Sequence, residues 1–279
     1  PIAHYFDATK IRVVNRALGG RSSRTFQTEG LWDEALKEIT SGDHVLIQFG
    51  HNDASSLNTG RARGTIPGAG GESKDVVMAA TGKTETVRTF GWYLRKYVTD
   101  VRAKGATPIL CTLVPRNIWK DGRVVRSTGD FVAWTKEVAQ SAGAPVIDLN
   151  EAVALHYEKA GPDRVGREFF YGDHTHTSPA GAQLTALAVV EELRKLPGNP
   201  LGPFFGTTFS GAAWSTDTRE EWDDPAVIGI NTEKPRATTM AYPDADLARK
   251  NAREASPWFR PLNGVWKFNY ANSPAARPA

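Results

Sequence analysis

Three short polar runs carry residue types that can act on a carbonyl group: Gly19-Gly20-Arg21-Ser22, Gly50-His51-Asn52-Asp53 and Asp173-His174-Thr175-His176. Asp173 and His176 stand three positions apart, a spacing that lets a carboxylate reach the ring Nδ1 while Nε2 points into a cleft. A histidine held in this way is a general base, and acyl transfer needs such a base to deprotonate a hydroxyl nucleophile. The same chemistry needs preorganised N–H donors for the tetrahedral oxyanion. Gly20 offers a backbone N–H that no side chain shields, and Asn52 offers a side-chain amide N–H. By residue type, the base, its orienting carboxylate and two oxyanion donors are present.

The elements around these runs must bring them together. Strands are expected at 11–15, 44–49, 107–114 and 145–149, where short apolar stretches end in turn residues. Helices are expected at 31–40, where Leu31, Ala35, Leu36 and Ile39 share a face, and at about 87–104, 131–142 and 178–196. A Gly-rich stretch from 55 to 81 reads as a long functional loop. Strands alternating with helices argue for a parallel sheet covered on both faces, an α/β protein. Open parallel sheets place ligands outside the carboxyl ends of their strands. The first two runs fall at such ends, and the third precedes the last helix.

Each candidate has a plainer competing role. A lone histidine is more often a capping or packed residue, and His51 and His174 are read so. Asp173, His174 and His176 could imitate a metal cluster, but no further ligand group joins them, and no metal or cofactor is expected. Arg21 and Arg24 could meet a uronic acid carboxylate, although loop arginines are commonly solvated. Trp92, Trp119 and Trp134 could stack on sugars, with packing as the default. Cys111, the single cysteine, lies in an apolar run and reads as a core residue; no intramolecular disulfide is possible.

Composition narrows the class further. The chain has 279 residues, of which 40% are hydrophobic and 23% charged, with a formal net charge of +3 and no block of like charge. A basic stripe for nucleic acid is absent. No apolar stretch approaches the ~20 residues needed to span a membrane. The chain opens without an initiator Met, so the lack of a signal peptide is uninformative; for the parent protein a periplasmic or secreted location is favoured.

The runs from Val14 to Arg24, from Phe49 to Asp53 and from Asp173 to Gly181 resemble, in order, the second, third and fifth conserved blocks of the SGNH/GDSL hydrolase superfamily, most closely its rhamnogalacturonan acetylesterases. The resemblance covers roughly residues 1–197. It implies a three-layer α/β/α sandwich with a flavodoxin-like parallel sheet. It also implies Gly20 and Asn52 as oxyanion donors, His176 as general base with Asp173 as its partner, and an acetylated polysaccharide as substrate. In that pattern Ser22 and Ser23 lie on a loop that supplies backbone contacts, not the nucleophile. The family's first block, a strand ending in Gly-Asp-Ser, does not occur: the Gly-Asp pairs continue to His44, Phe131 and His174. The nucleophile and the central first strand are therefore expected to be missing from this chain, which by itself should be inactive.

From Pro197 the periodicity stops, and 198–219 reads as a linker. The segment 220–279, with Glu221-Trp222-Asp223-Asp224-Pro225 and Leu262-Asn263-Gly264-Val265-Trp266, resembles the opening of family 2 β-galactosidases, with one plausible strand at 265–270. The sequence thus leaves two rivals to an esterase. One is a non-catalytic carbohydrate-binding module; the other is a fragment of a β-galactosidase fusion.

Overall fold

The computed structural model describes residues 1–126, 130–206, 242–250 and 256. The chain divides into two units, Pro1–Ser215 and Thr216–Ala279. In the first, a 3-10 turn at Ile2–Tyr5 leads through an extended stretch to helices α1 (Thr25–Thr28) and α2 (Leu31–Glu38) and strand β1 (His44–Gln48). A hairpin of β2 (Ser73–Val77) and β3 (Thr84–Arg88) precedes helix α3 (Phe90–Ala103) and strand β4 (Thr107–Cys111). A second hairpin, β5 (Trp119–Lys120) and β6 (Arg123–Val124), leads to helix α4 (Phe131–Ala142) and strand β7 (Val146–Ile147). Helices α5 (Leu149–Ala160), α6 (Pro162–Glu168) and α7 (Pro179–Lys195) complete the series. In the second unit the described residues form helix α8 (Ala245–Lys250), and the strand expected at 265–270 lies outside them.

The main sheet runs β1-β4-β7, with both pairings parallel. Alternate side chains of β4 enter opposite layers, as the two-residue period of a strand requires. Leu110 joins the core beneath α2, α3 and α4, while Ile109 and Cys111 join the core beneath α5, α6 and α7. This is the three-layer α/β/α sandwich. Val101, Ile109, Leu110, Val153 and Leu193 are fully buried, and each contributes roughly 1.5–3 kcal/mol. Burial pushes the Cys111 thiol up to about 12, which leaves it as a packing group.

Four local expectations are corrected. Residues 11–15 do not form a strand: among the described residues no strand pairs with them, the Ile11 N–H closes a turn on the Asp7 carbonyl at 3.1 Å, and Val14 stays 45% exposed. The stretch 55–81 is not all loop, and the helix expected from about 87 starts at Phe90, because 87 and 88 end β3. β-Branched residues at Val76, Val77, Thr84, Thr86 and Val87 favour an antiparallel pair, which begins at Ser73↔Arg88. The strand expected through Leu149 stops at Ile147, because Asp148 caps α5 by accepting from the Glu151 N–H. Lastly, part of the stretch read as linker packs on the first unit. Leu201 and Phe205 are buried, and the Phe205 ring stacks on Phe6 at 5.0 Å between centroids.

Candidate active site

The turn bearing Asp173 and His176 is fixed by its own backbone. The Oδ1 of Asp173 accepts from the N–H groups of Thr175 (2.6 Å) and His176 (2.7 Å), which leaves Oδ2 to meet the His176 Nδ1 at 2.7 Å. These donors hold the Asp173 carboxyl far below the usual carboxylate range, the His176 N–H acting most strongly. An ionised acceptor at Nδ1 requires the proton on Nδ1, so Nε2 carries the free lone pair. The His176 side chain is 78% exposed, open to a reactant. Below the turn, Ser178 caps α7 by accepting from Gly181 N–H (3.2 Å), and its hydroxyl donates to the Glu168 carbonyl (2.5 Å). Gly181 is required there, since a Cβ would stand 2.3 Å from the Phe169 oxygen.

The two other runs interlock. The Asn52 Nδ2 donates to the Arg21 carbonyl at 2.9 Å, which uses one of its two N–H bonds and orients the amide beside the Gly20 loop. Gly20 takes a left-handed φ of 80°, open to glycine without strain. Beneath them lies Asp53, 1% exposed. Its carboxylate accepts from the Ser23 hydroxyl (2.5 Å), the Ser23 N–H (3.1 Å) and the Gly50 N–H (3.1 Å). Burial pushes its carboxyl up to about 7 against the pull of these donors. Tyr97 adds a bond from its hydroxyl to the Ser23 carbonyl at 2.8 Å. Ser22 and Ser23 are fully buried and hydrogen-bonded, so neither hydroxyl faces a reactant.

The loop leaving β4 joins the Asp173–His176 turn to the Gly50–Asp53 turn. Burial lowers the pKa of His51, and the Arg116 charge lowers it further. His51 Nε2 lies 3.0 Å from the Val114 carbonyl, which requires the proton on that nitrogen and makes His51 a packed, neutral group. The Asn117 N–H donates to the His174 carbonyl (2.9 Å), tying the exit of β4 to the same turn.

Arg24 is placed differently from the expectation that it meets a substrate. It is 1% exposed; its Nε binds Glu85 at 2.7 Å, and its Nη1 binds the carbonyls of Leu57 and Gly64, each at 2.8 Å. It clamps the loop. Arg21 is neutralised by Glu29 at 2.9 Å. The three tryptophans are engaged within the fold: Trp92 under the Arg88 guanidinium, Trp134 against Phe90 and Phe131, and Trp119 bonded to Asn117. Among the described residues no three His, Cys, Asp or Glu side chains converge to hold a metal, and no helix is long and apolar enough to cross a membrane. Sequence reasoning assigned no role to Asp53 or Arg63. The signal for Asp53 was available, as a fourth polar residue turning back beneath a buried strand; Arg63 gave none.

An α/β/α sandwich with a carboxylate–histidine turn at the carboxyl edge of its sheet defines an ester hydrolase scaffold, and the chain belongs to the GDSL-like lipase/acylhydrolase family, whose pattern matches residues 2–184. Among its relatives, a rhamnogalacturonan acetylesterase of Emericella nidulans is 34% identical over 185 residues, 66% of this chain and 74% of that protein. A probable rhamnogalacturonan acetylesterase of Bacillus subtilis is 32% identical, covering 68% of this chain and 80% of its own length. The solved structure of the Bacillus subtilis protein YxiM, 26% identical, superposes with a TM-score of 0.56 over 70% of this chain, which spans 48% of that one. A β-galactosidase of Priestia megaterium is 34% identical over 58 residues, only 6% of its length.

Proposed function

We propose that this site removes acetyl groups from a plant polysaccharide such as rhamnogalacturonan by a Ser-His-Asp mechanism. The observation that carries the reading is the 2.7 Å Asp173–His176 pair with Nε2 left open. In the proposed sequence a serine hydroxyl attacks the acetyl carbonyl while His176 Nε2 takes its proton. The negative charge on the carbonyl oxygen meets the Gly20 N–H and the second N–H of Asn52. His176 then returns the proton to the departing sugar oxygen, and a water molecule deprotonated by His176 releases acetate from the acyl-serine. The attacking serine belongs to a Gly-Asp-Ser block that this sequence does not contain. The relatives' names and the family match favour an esterase over a binding module or a β-galactosidase.

The test has two arms. The chain alone should hydrolyse p-nitrophenyl acetate no faster than its His176→Ala variant, because a base without a nucleophile gives little help. With a Gly-Asp-Ser strand of the family joined upstream, Asp173→Asn should lower kcat by about two to four orders of magnitude with little change in KM. Unchanged turnover in that variant would remove Asp173 from the mechanism.

A further inference from the structure

Two guanidinium groups flank Gly20. The Arg61 Nη1 lies 3.5 Å, and the Arg63 Nη1 3.8 Å, from the point where a side chain on Gly20 would begin. Arg63 donates to the Gly20 carbonyl at 3.0 Å, yet its Nε is buried without a partner. Neighbouring Arg21 and Arg24 are each matched by a glutamate, Glu29 and Glu85. Among the described residues no acidic side chain does the same for Arg61 or Arg63.

The backbone holds the pair in place at some cost. Ala62, between them, takes a left-handed φ of 46°, a conformation that residues with a Cβ adopt rarely and that strained functional turns retain. Its N–H closes the turn on the Thr59 carbonyl at 2.9 Å. Next to Arg63, Gly64 is wedged so tightly that a Cβ would stand 2.0 Å from the Ser55 oxygen. The Gly64 carbonyl is in turn gripped by the buried Arg24. A clamped, strained turn therefore aims two like charges at one corner, where no carboxylate among the described residues offsets their mutual repulsion.

We infer that Arg61 and Arg63 form an anion subsite beside the Gly20 corner that takes the carboxylate of a uronic acid residue in the carbohydrate substrate. Guanidinium groups match a planar carboxylate through paired N–H donors. Arg61 is exposed for the approach, and Arg63 is half-buried, where a charge-assisted bond is less weakened by water. This role falls to Arg61 and Arg63 because Arg21 and Arg24 are already neutralised within the fold. The inference rests on the carbohydrate reading above and adds to it which sugar is recognised and where.

Calorimetric titration of the full chain at low salt tests it with two ligands. One is a rhamnogalacturonan oligosaccharide; the other is the same oligosaccharide with its carboxyl groups reduced to alcohols. The acidic form should bind about tenfold more tightly, the ratio one charge-assisted contact supports. That preference should shrink with added salt and fall towards unity in Arg61→Gln, an exposed position where folding is not at risk and circular dichroism can confirm it. Equal affinities, no measurable binding of the acidic form, or a preference that survives Arg61→Gln combined with Arg63→Gln would overturn the subsite. p-Nitrophenyl acetate carries no carboxylate, so the hydrolytic reading stands or falls separately on its own assay.

Discussion

Replacing Asp53 by Asn should abolish a slope of stability with pH that lies below neutrality. Burial pushes the Asp53 carboxyl from 3.8 up to about 7, against the donors from Ser23 and Gly50. In the unfolded chain an aspartate releases its proton near 3.9. Between those two values the folded state keeps a proton that the unfolded state has lost, so the free energy of unfolding falls as pH rises. The contribution is complete below about pH 4, declines through the window and is gone above about pH 7. At ~1.4 kcal/mol per pH unit, the whole window amounts to roughly 4 kcal/mol, and the part between pH 5 and 7.5 to about 3 kcal/mol. The Asp53→Asn variant has no carboxyl to titrate, and its amide N–H₂ must face one of two backbone donors, Ser23 N–H or Gly50 N–H. At pH 5 the variant should therefore be less stable than the parent chain by about 1–3 kcal/mol from that mismatch. By pH 7.5 the parent chain should have lost about 3 kcal/mol that the variant keeps, so the gap closes or reverses. Urea unfolding followed by tryptophan fluorescence at both pH values measures it. A gap of the same size at both would mean that the donors outweigh burial and that Asp53 is ionised throughout, which would refute the reasoning.

Two further outcomes concern the loop beside Gly20. Arg24→Met should cost about 3–5 kcal/mol, because it strands the Leu57 and Gly64 carbonyls and leaves Glu85 unmatched; a shift in denaturation midpoint worth less than about 1 kcal/mol would contradict the clamp. Gly64→Ala should cost about 1–3 kcal/mol, since its Cβ would collide with the Ser55 oxygen, and a thermal melt indistinguishable from that of the parent chain would show that the loop is free to shift.

What could be read from the sequence was the chemistry at the strand ends. Asp173 and His176 are close in sequence, so their contact is a local event that spacing can anticipate; the joining of Asn52 to the Gly20 loop was expected from two strand exits, but only the Asn52 turn leaves a strand. The helices at 131–142 and 178–196 carried enough apolar residues at helical spacing to be placed nearly to the residue. Pairing was harder. β2 reads Ser-Lys-Asp-Val-Val, with only Val76 buried, so its polar exterior hid a strand inside a Gly-rich stretch. Residues 11–15 show the reverse: the apolar content of a strand is present, yet a ladder depends on a neighbour that no local pattern encodes. Arg24 was misplaced for a related reason. Its carboxylate partner Glu85 lies 61 positions away, and a charged residue in a polar loop gives no sign that it will be fully enclosed. The missed cap at Asp148, by contrast, was available as an Asp followed three residues later by Glu151.

The outer side of β1 has a consequence for how the molecule behaves in company. β4 takes one side of this strand, and among the described residues no ladder forms on the other. An open edge recognises polypeptide through main-chain groups alone, so it discriminates by extension and length, hardly by sequence. Leu46, 38% exposed, adds an apolar contact to whatever lies there. A Gly-Asp-Ser strand joined upstream, as in the hydrolysis test, would seat on such main-chain groups, so its docking should depend on its extended length and only weakly on ionic strength.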